Sequence, residues 1–254
     1  MSTTRVFLMV AAALLLVGRS SSDAAGLKFA KSATADLNGD GRPERVYLTV
    51  SVPKNAPAQR LLHIGDLSVE IHAQLPEGIA IVDIDSKDRF KEVDVRCGNP
   101  GDGGYSLVYG FDGRSISEMG EVGSHPDFRG NGIVYGGSWT GAFMIRHKFA
   151  LDGKRRKLNE IRQPMYYVGR TFKAESSFPI CYSMEDASVV ADIEPKSQIL
   201  IVAVAFQPIK KRTDMPNRYE TIERGWYLIK TQSGLMGWAR EETVVQHVPI
   251  PMAG

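Results

Sequence analysis

The sequence predicts an all-β chain, on three observations. Short runs that alternate apolar and polar residues recur along it, rich in β-branched and aromatic side chains and bounded by Gly, Asp, Asn and Pro. No long run with helical spacing of apolar residues appears after the N-terminus. The short runs also group into larger units repeating at about 45 residues, the size of four short strands.

The first 25 residues read as an address rather than as fold. Arg5 supplies positive charge, Val6 to Val17 is apolar, and Ser20-Ser21-Ser22-Asp23-Ala24-Ala25 offers small residues for cleavage. The expectation is a signal peptide over 1–25, with an uncleaved anchor as the alternative, and therefore export to a periplasmic or extracellular compartment. The apolar run is too short to span a bilayer comfortably, so no membrane span is expected after cleavage. What remains is long enough for one large or two modest domains.

Thirty-one Lys and Arg face twenty-nine Asp and Glu, a formal charge of +2. So even a balance supplies no field to recruit nucleic acid or acidic lipid. Cys97 and Cys181 are the two cysteines. In an exported chain they suggest a disulfide; two separate buried thiols are the alternative.

Strands are predicted at 45–50, 68–72, 79–82, 92–95, 105–109, 142–145 and 188–191. Asp36-x-Asn38-x-Asp40-Gly41-x-x-Glu44 is echoed by Asp83-x-Asp85-x-Lys87-Asp88-x-x-Lys91, and faintly by Asp127 to Asn131. Asp-Gly turns at Asp112-Gly113 and Asp152-Gly153, and the degenerate Gly65-Asp66, mark a second echo inside each unit. Three units predict a partial propeller or stacked meander, with an open sheet edge that needs cover.

The first loop resembles the aspartate-rich loop of FG-GAP and VCBS repeats, the integrin-alpha type, in which such a loop lies between strands and holds calcium. The resemblance covers about residues 30–165 and implies a repeat domain over 26–165.

Composition changes after Pro164. Ile199 to Phe206 is apolar enough for a strand buried on both faces, and Lys210 to Arg224 reads as a polar loop. Gly225-Trp226-Tyr227-Leu228-Ile229 then runs to a Gln-Ser-Gly turn and returns through Gly237-Trp238-Ala239 as a hairpin. That word order is similar to the last hairpin of bacterial Src-homology-3-like domains, and implies a small β-barrel over 166–254. The long basic insertion at Lys210-Lys211-Arg212 departs from that pattern.

Three constellations bear on chemistry. In the first loop Asp36, Asn38, Asp40 and Glu44 would offer side-chain oxygens and Arg42 its carbonyl to one calcium ion, with Gly41 at the bend. A polar turn closed on its own hydrogen bonds is the alternative. In the second unit Lys87 and Lys91 stand where Asp40 and Glu44 stood, so no metal is expected there.

Catalysis is not indicated. The five histidines have no metal-ligand spacing, no glycine loop cradles phosphate, and Gly137-Ser138-Trp139-Thr140-Gly141 reads as a glycine-rich turn rather than a nucleophile elbow.

The third constellation is Tyr182, Trp226, Tyr227 and Trp238, flat side chains that suit an extended ligand. Period-two alternation would bury some of them, and Trp238 is expected in the core with Tyr227 left open. The Src-homology-3 resemblance implies cell-wall peptide binding. The expected function is accordingly that of an exported non-enzymatic binding protein, whose barrel contacts cell wall or an envelope protein and whose repeats form a calcium-stabilised scaffold. The alternatives are a cell-wall hydrolase or hydrolase accessory targeted by the barrel, and a module that covers another protein.

Overall fold

A computed structural model describes residues 29–51, 58–73, 75–98, 104–140, 142–212 and 219–250, with backbone alone at 209–212 and 219–224. The expected signal peptide at 1–25 lies outside these residues. Among them the chain is all-β, eighteen strands and one short helix. Among the described residues no helix is long and apolar enough to cross a membrane.

Three four-stranded antiparallel sheets come first, each a simple meander. They are β1 (Ser32–Ala35) to β4 (Leu67–Glu70) with β2 (Glu44–Ser51) and β3 (Gln59–Ile64) between, then β5 (Pro76–Val82), β6 (Glu92–Cys97), β7 (Tyr105–Phe111) and β8 (Ile116–Val122). The third holds β9 (Ser124–Phe128), β10 (Ile133–Trp139), β11 (Met144–Asp152) and β12 (Lys157–Glu160). The expected strand at 142–145 begins at Met144, because Thr140 and Phe143 close the β10–β11 turn with bonds to each other.

Successive side chains of a strand leave opposite faces, and here that alternation decides which sheets are sandwiched. In the first sheet Val46, Leu62 and Ile64 point inward, while Arg45, Tyr47, Thr49 and His63 point out. Tyr47 and His63 stack at 4.5 Å, Arg45 lies over Tyr47, and Thr49 Oγ1 is 2.9 Å from His63 Nε2. This polar outer face lets the series end without a further layer, as capping repeats do.

The second sheet is buried on both faces. Val93, Val95, Leu107 and Tyr109 join Val46, Leu62 and Ile64 in one core; Val108, Met119 and Val122 join Val134 of the third sheet in another. Each such fully buried aliphatic side chain contributes about 1.5–3 kcal/mol from removal of apolar area.

The loops between first and second strands interlock from unit to unit. Lys91 N donates to the carbonyl of Leu37 at 3.0 Å, and Gly132 N to that of Ile84 at 2.7 Å, so equivalent buried aliphatic residues receive the next loop. Gly39, at a φ of 69°, lies where a Cβ would be 2.7 Å from Arg89 Cβ, so this close approach requires glycine.

This geometry corrects the alignment of the two loops. Glu44 Oε2 accepts from Leu37 N at 2.9 Å, and Glu92 Oε2 accepts from Ile84 N at 3.1 Å. Glu92, not Lys91, is therefore the counterpart of Glu44, and the second loop is one residue longer. The acid that ties the loop back to its own first strand is kept in both units.

Between Glu160 and Tyr166 the chain passes to a six-stranded sheet of order β13-β16-β17-β18-β14-β15. Its strands are β13 (Tyr166–Lys173), β14 (Phe178–Cys181), β15 (Val189–Ile193), β16 (Gln198–Arg212), β17 (Tyr219–Thr231) and β18 (Met236–Arg240). The sheet does not close into the expected barrel. Helix α1 (Glu241–His247) instead packs Val244 into the core, joined by Val248 just beyond it. Lys210, Lys211 and Arg212 are not a loop but pair with Thr221, Glu220 and Tyr219 at the end of the long β16–β17 hairpin.

The C-terminal core is shared with the third sheet. Phe143 and Ile145 are buried with Ile199, Ile201, Tyr227 and Ile229, and the Phe143 ring meets Tyr227 edge-on at 5.5 Å. The cover needed at that end of the series is thus the C-terminal sheet. Cys97 and Cys181 are both free, the first buried between the first two sheets and the second on β14. Burial pushes the Cys97 thiol up to about 12.

Candidate functional site

In the C-terminal sheet strand register sorts the four aromatic residues. Tyr227 and Ile229 are wholly buried on the core face of β17, and Tyr227 Oη donates to Glu241 Oε1 at 3.1 Å. Trp226, Leu228 and Trp238 therefore take the opposite, outer face. The expectation that Trp238 is core is not met, since Trp238 is half-buried; Tyr227, which the sequence left undecided, is the residue with no exposure. Trp226 is covered, with the Arg240 guanidinium 5.4 Å over its ring.

Leu228 pairs with Trp238, Trp238 with Cys181 and Cys181 with Val189, so these four form one lateral row across β17, β18, β14 and β15. Met236 lies two residues from Trp238 on the same face. Tyr182, 72% exposed, follows Cys181 in the chain, and Val189 and Met236 are exposed as well. Of the four expected binding residues, Trp238 thus lies in one apolar row, and Tyr182 follows a member of that row in the chain.

The first loop, between β1 and β2, is held by amides. Asp36 Oδ1 accepts from Gly39 N at 2.8 Å and Asp40 N at 3.2 Å, and its Oδ2 from Gly41 N at 2.9 Å. Asn38 Oδ1 accepts from Asp40 N at 2.9 Å, and Asp40 Oδ1 from Arg42 N at 2.8 Å. The Arg42 amide, then Asn38, hold the Asp40 carboxyl below its ordinary range. The donor chemistry fits a hard cation, and the tie from Asp36 to Gly41 orients the first carboxylate. Among the described residues no group of three His, Cys, Asp or Glu side chains is placed to hold a metal.

The interface between second and third sheets carries buried acids that the spacing did not reveal. Glu92 is 1% exposed; burial pushes its carboxyl up to about 7, against the Ile84 amide and the Arg156 guanidinium, whose Nη2 is 2.9 Å from Oε1. Asp94, on the same face and fully buried, is also pushed up to about 7 by desolvation, which outweighs neighbouring Ser106 and Arg96. Neither Asp94 oxygen reaches a donor at hydrogen-bonding geometry among the described residues.

Ser138 is not in a turn, as the glycines around it suggested, but on β10. Gly136 pairs with His147, Ser138 with Ile145, and Phe149 with Glu160, which puts Ser138, His147 and Glu160 on one face of the third sheet. Ser138 Oγ is 2.7 Å from His147 Nε2, and His147 Nδ1 is 2.7 Å from Glu160 Oε1. The only signal of this set in the sequence is a hairpin that returns His147 beside Ser138.

Comparisons with protein families, with curated proteins and with solved structures find no match. The functional reading therefore rests on the geometry of the chain itself.

Proposed function

We propose that the chain is an exported binding protein: three integrin-alpha-type repeat units form a scaffold, and a Src-homology-3-like C-terminal sheet contacts a cell-wall peptide or an envelope protein. The observation that carries this reading is the row Leu228, Trp238, Cys181 and Val189, with the exposed Tyr182 next to Cys181 in the chain. A flat line of half-exposed apolar side chains beside an edge strand suits an extended ligand, whose backbone can run along β15 while alternate side chains rest on the row.

The repeat reading is supported by three four-stranded meanders whose equivalent loops interlock through Leu37 and Ile84. Calcium belongs to the same proposal: Asp36, Asn38, Asp40 and Glu44, with the Arg42 carbonyl, would hold one ion and stiffen a loop that its amides already close. Export is supported by the apolar run from Val6 to Val17 and the small residues after it.

Co-sedimentation of residues 26–254 with purified cell walls, and capture of envelope proteins on the immobilised chain, test the proposal. Binding that falls at least tenfold in Trp238→Ala and Tyr182→Ala supports it. Binding to neither, or binding indifferent to both substitutions, overturns it.

A further inference from the structure

His147 is held at both nitrogens. Glu160 on Nδ1 only accepts when ionised, so the neutral ring carries its proton there and leaves Nε2 to accept from the Ser138 hydroxyl at 2.7 Å. Serine, general base and orienting carboxylate are thus in series. Two other histidines bond hydroxyls, His63 with Thr49 and His247 with Ser176. Among the described residues only the His147 relay continues to a carboxylate.

We propose that Ser138 is an activated nucleophile for carboxylic esters, with His147 as its base and Glu160 as the positioning residue. This goes beyond the binding reading and uses none of its residues. Ser138 is half-buried and the His147 side chain keeps 20% exposure, so neither is sealed in the core. The rings of Tyr166 and Phe149 lie 5.0 and 6.4 Å from His147 and give the site an apolar wall, which favours a neutral acyl group over a charged one.

In the step, Oγ bonds to the ester carbonyl carbon and its proton passes to Nε2. The carbon–oxygen bond to the alcohol then breaks, and Nε2 returns the proton to the leaving oxygen. Water repeats the sequence on the acyl-serine and releases the carboxylic acid.

A fluorophosphonate probe tests the nucleophile directly, because Oγ forms a bond to phosphorus as fluoride leaves. The expected result is labelling that maps to Ser138, is absent in Ser138→Ala, and slows at least a hundredfold in His147→Gln, the scale of a lost general base. Glu160→Ala slows it as well, and Glu160→Asp restores part of the loss, as positioning requires. Far-UV circular dichroism and melting establish that each variant is folded. No label on Ser138 in the folded wild type, or a wild-type rate in folded His147→Gln, would overturn the proposal and leave the relay a tie between strands. Wall binding measured on Ser138→Ala stays at the wild-type level, which separates this outcome from failure of the binding reading.

Discussion

Glu92 Oε1 and Arg156 Nη2 meet at 2.9 Å across two sheets, the acid from β6 and the arginine from the last turn of the third unit. The same guanidinium lies 3.8 Å over the Phe90 ring. One side chain from the third unit thus covers the first loop of the second. A parallel relationship joins the first two units, where Gly113 in the equivalent turn sits so close that a Cβ would be 2.8 Å from Asn38 Nδ2. Turn over loop is the repeated contact of the series.

Arg156→Ala leaves a buried carboxylate without its cation and is expected to cost about 3 kcal/mol at pH 8. At pH 5 Glu92, already raised to about 7, is protonated in the folded chain, and the cost falls to that of lost packing. Denaturant melts at the two pH values measure the difference.

Asp94→Asn is expected to stabilise the protein at pH 8 by about 3 kcal/mol, because the folded chain no longer holds a desolvated charge. The folded carboxyl titrates near 7, above its unfolded range, so it burdens the fold fully above pH 7 and not at all once it is protonated in both states. The advantage of the asparagine should therefore shrink as pH falls from 7 toward 4. A constant advantage across that range would show that folding does not raise the Asp94 carboxyl.

Asp36→Ala removes the acceptor of three amides and is expected to cost about 2 kcal/mol without any metal. Calcium at 1 mM is expected to raise the wild-type Tm and to leave Asp36→Ala unmoved, because ligand binding stabilises only the chain that can bind it. Equal melting with calcium and with a chelator would leave the loop a turn closed by its own amides.

The fold class and the four-strand units were legible because alternation and Asp-Gly turns are local. Register was not. A one-residue insertion in the second loop put Lys91 in the place that Glu92 fills, and only the amides of Leu37 and Ile84 show it. Alternation likewise has two phases in Gly225-Trp226-Tyr227-Leu228, and the choice between them is made by the core that Phe143 enters from a distant hairpin. Helix α1 is too short to leave a period, and the Ser138 relay is assembled by pairing across three strands.

The central claim is that the outer row of the C-terminal sheet binds an envelope ligand, and the pair Trp238→Ala and Tyr227→Phe tests it most directly. Tyr227→Phe loses only a bond to Glu241 inside the core, about 1 kcal/mol of stability. Co-sedimentation with cell walls and capture of envelope proteins should fall at least tenfold for Trp238→Ala and stay at the wild-type level for Tyr227→Phe. Equal binding by wild type and a folded Trp238→Ala, or loss confined to Tyr227→Phe, would contradict the account.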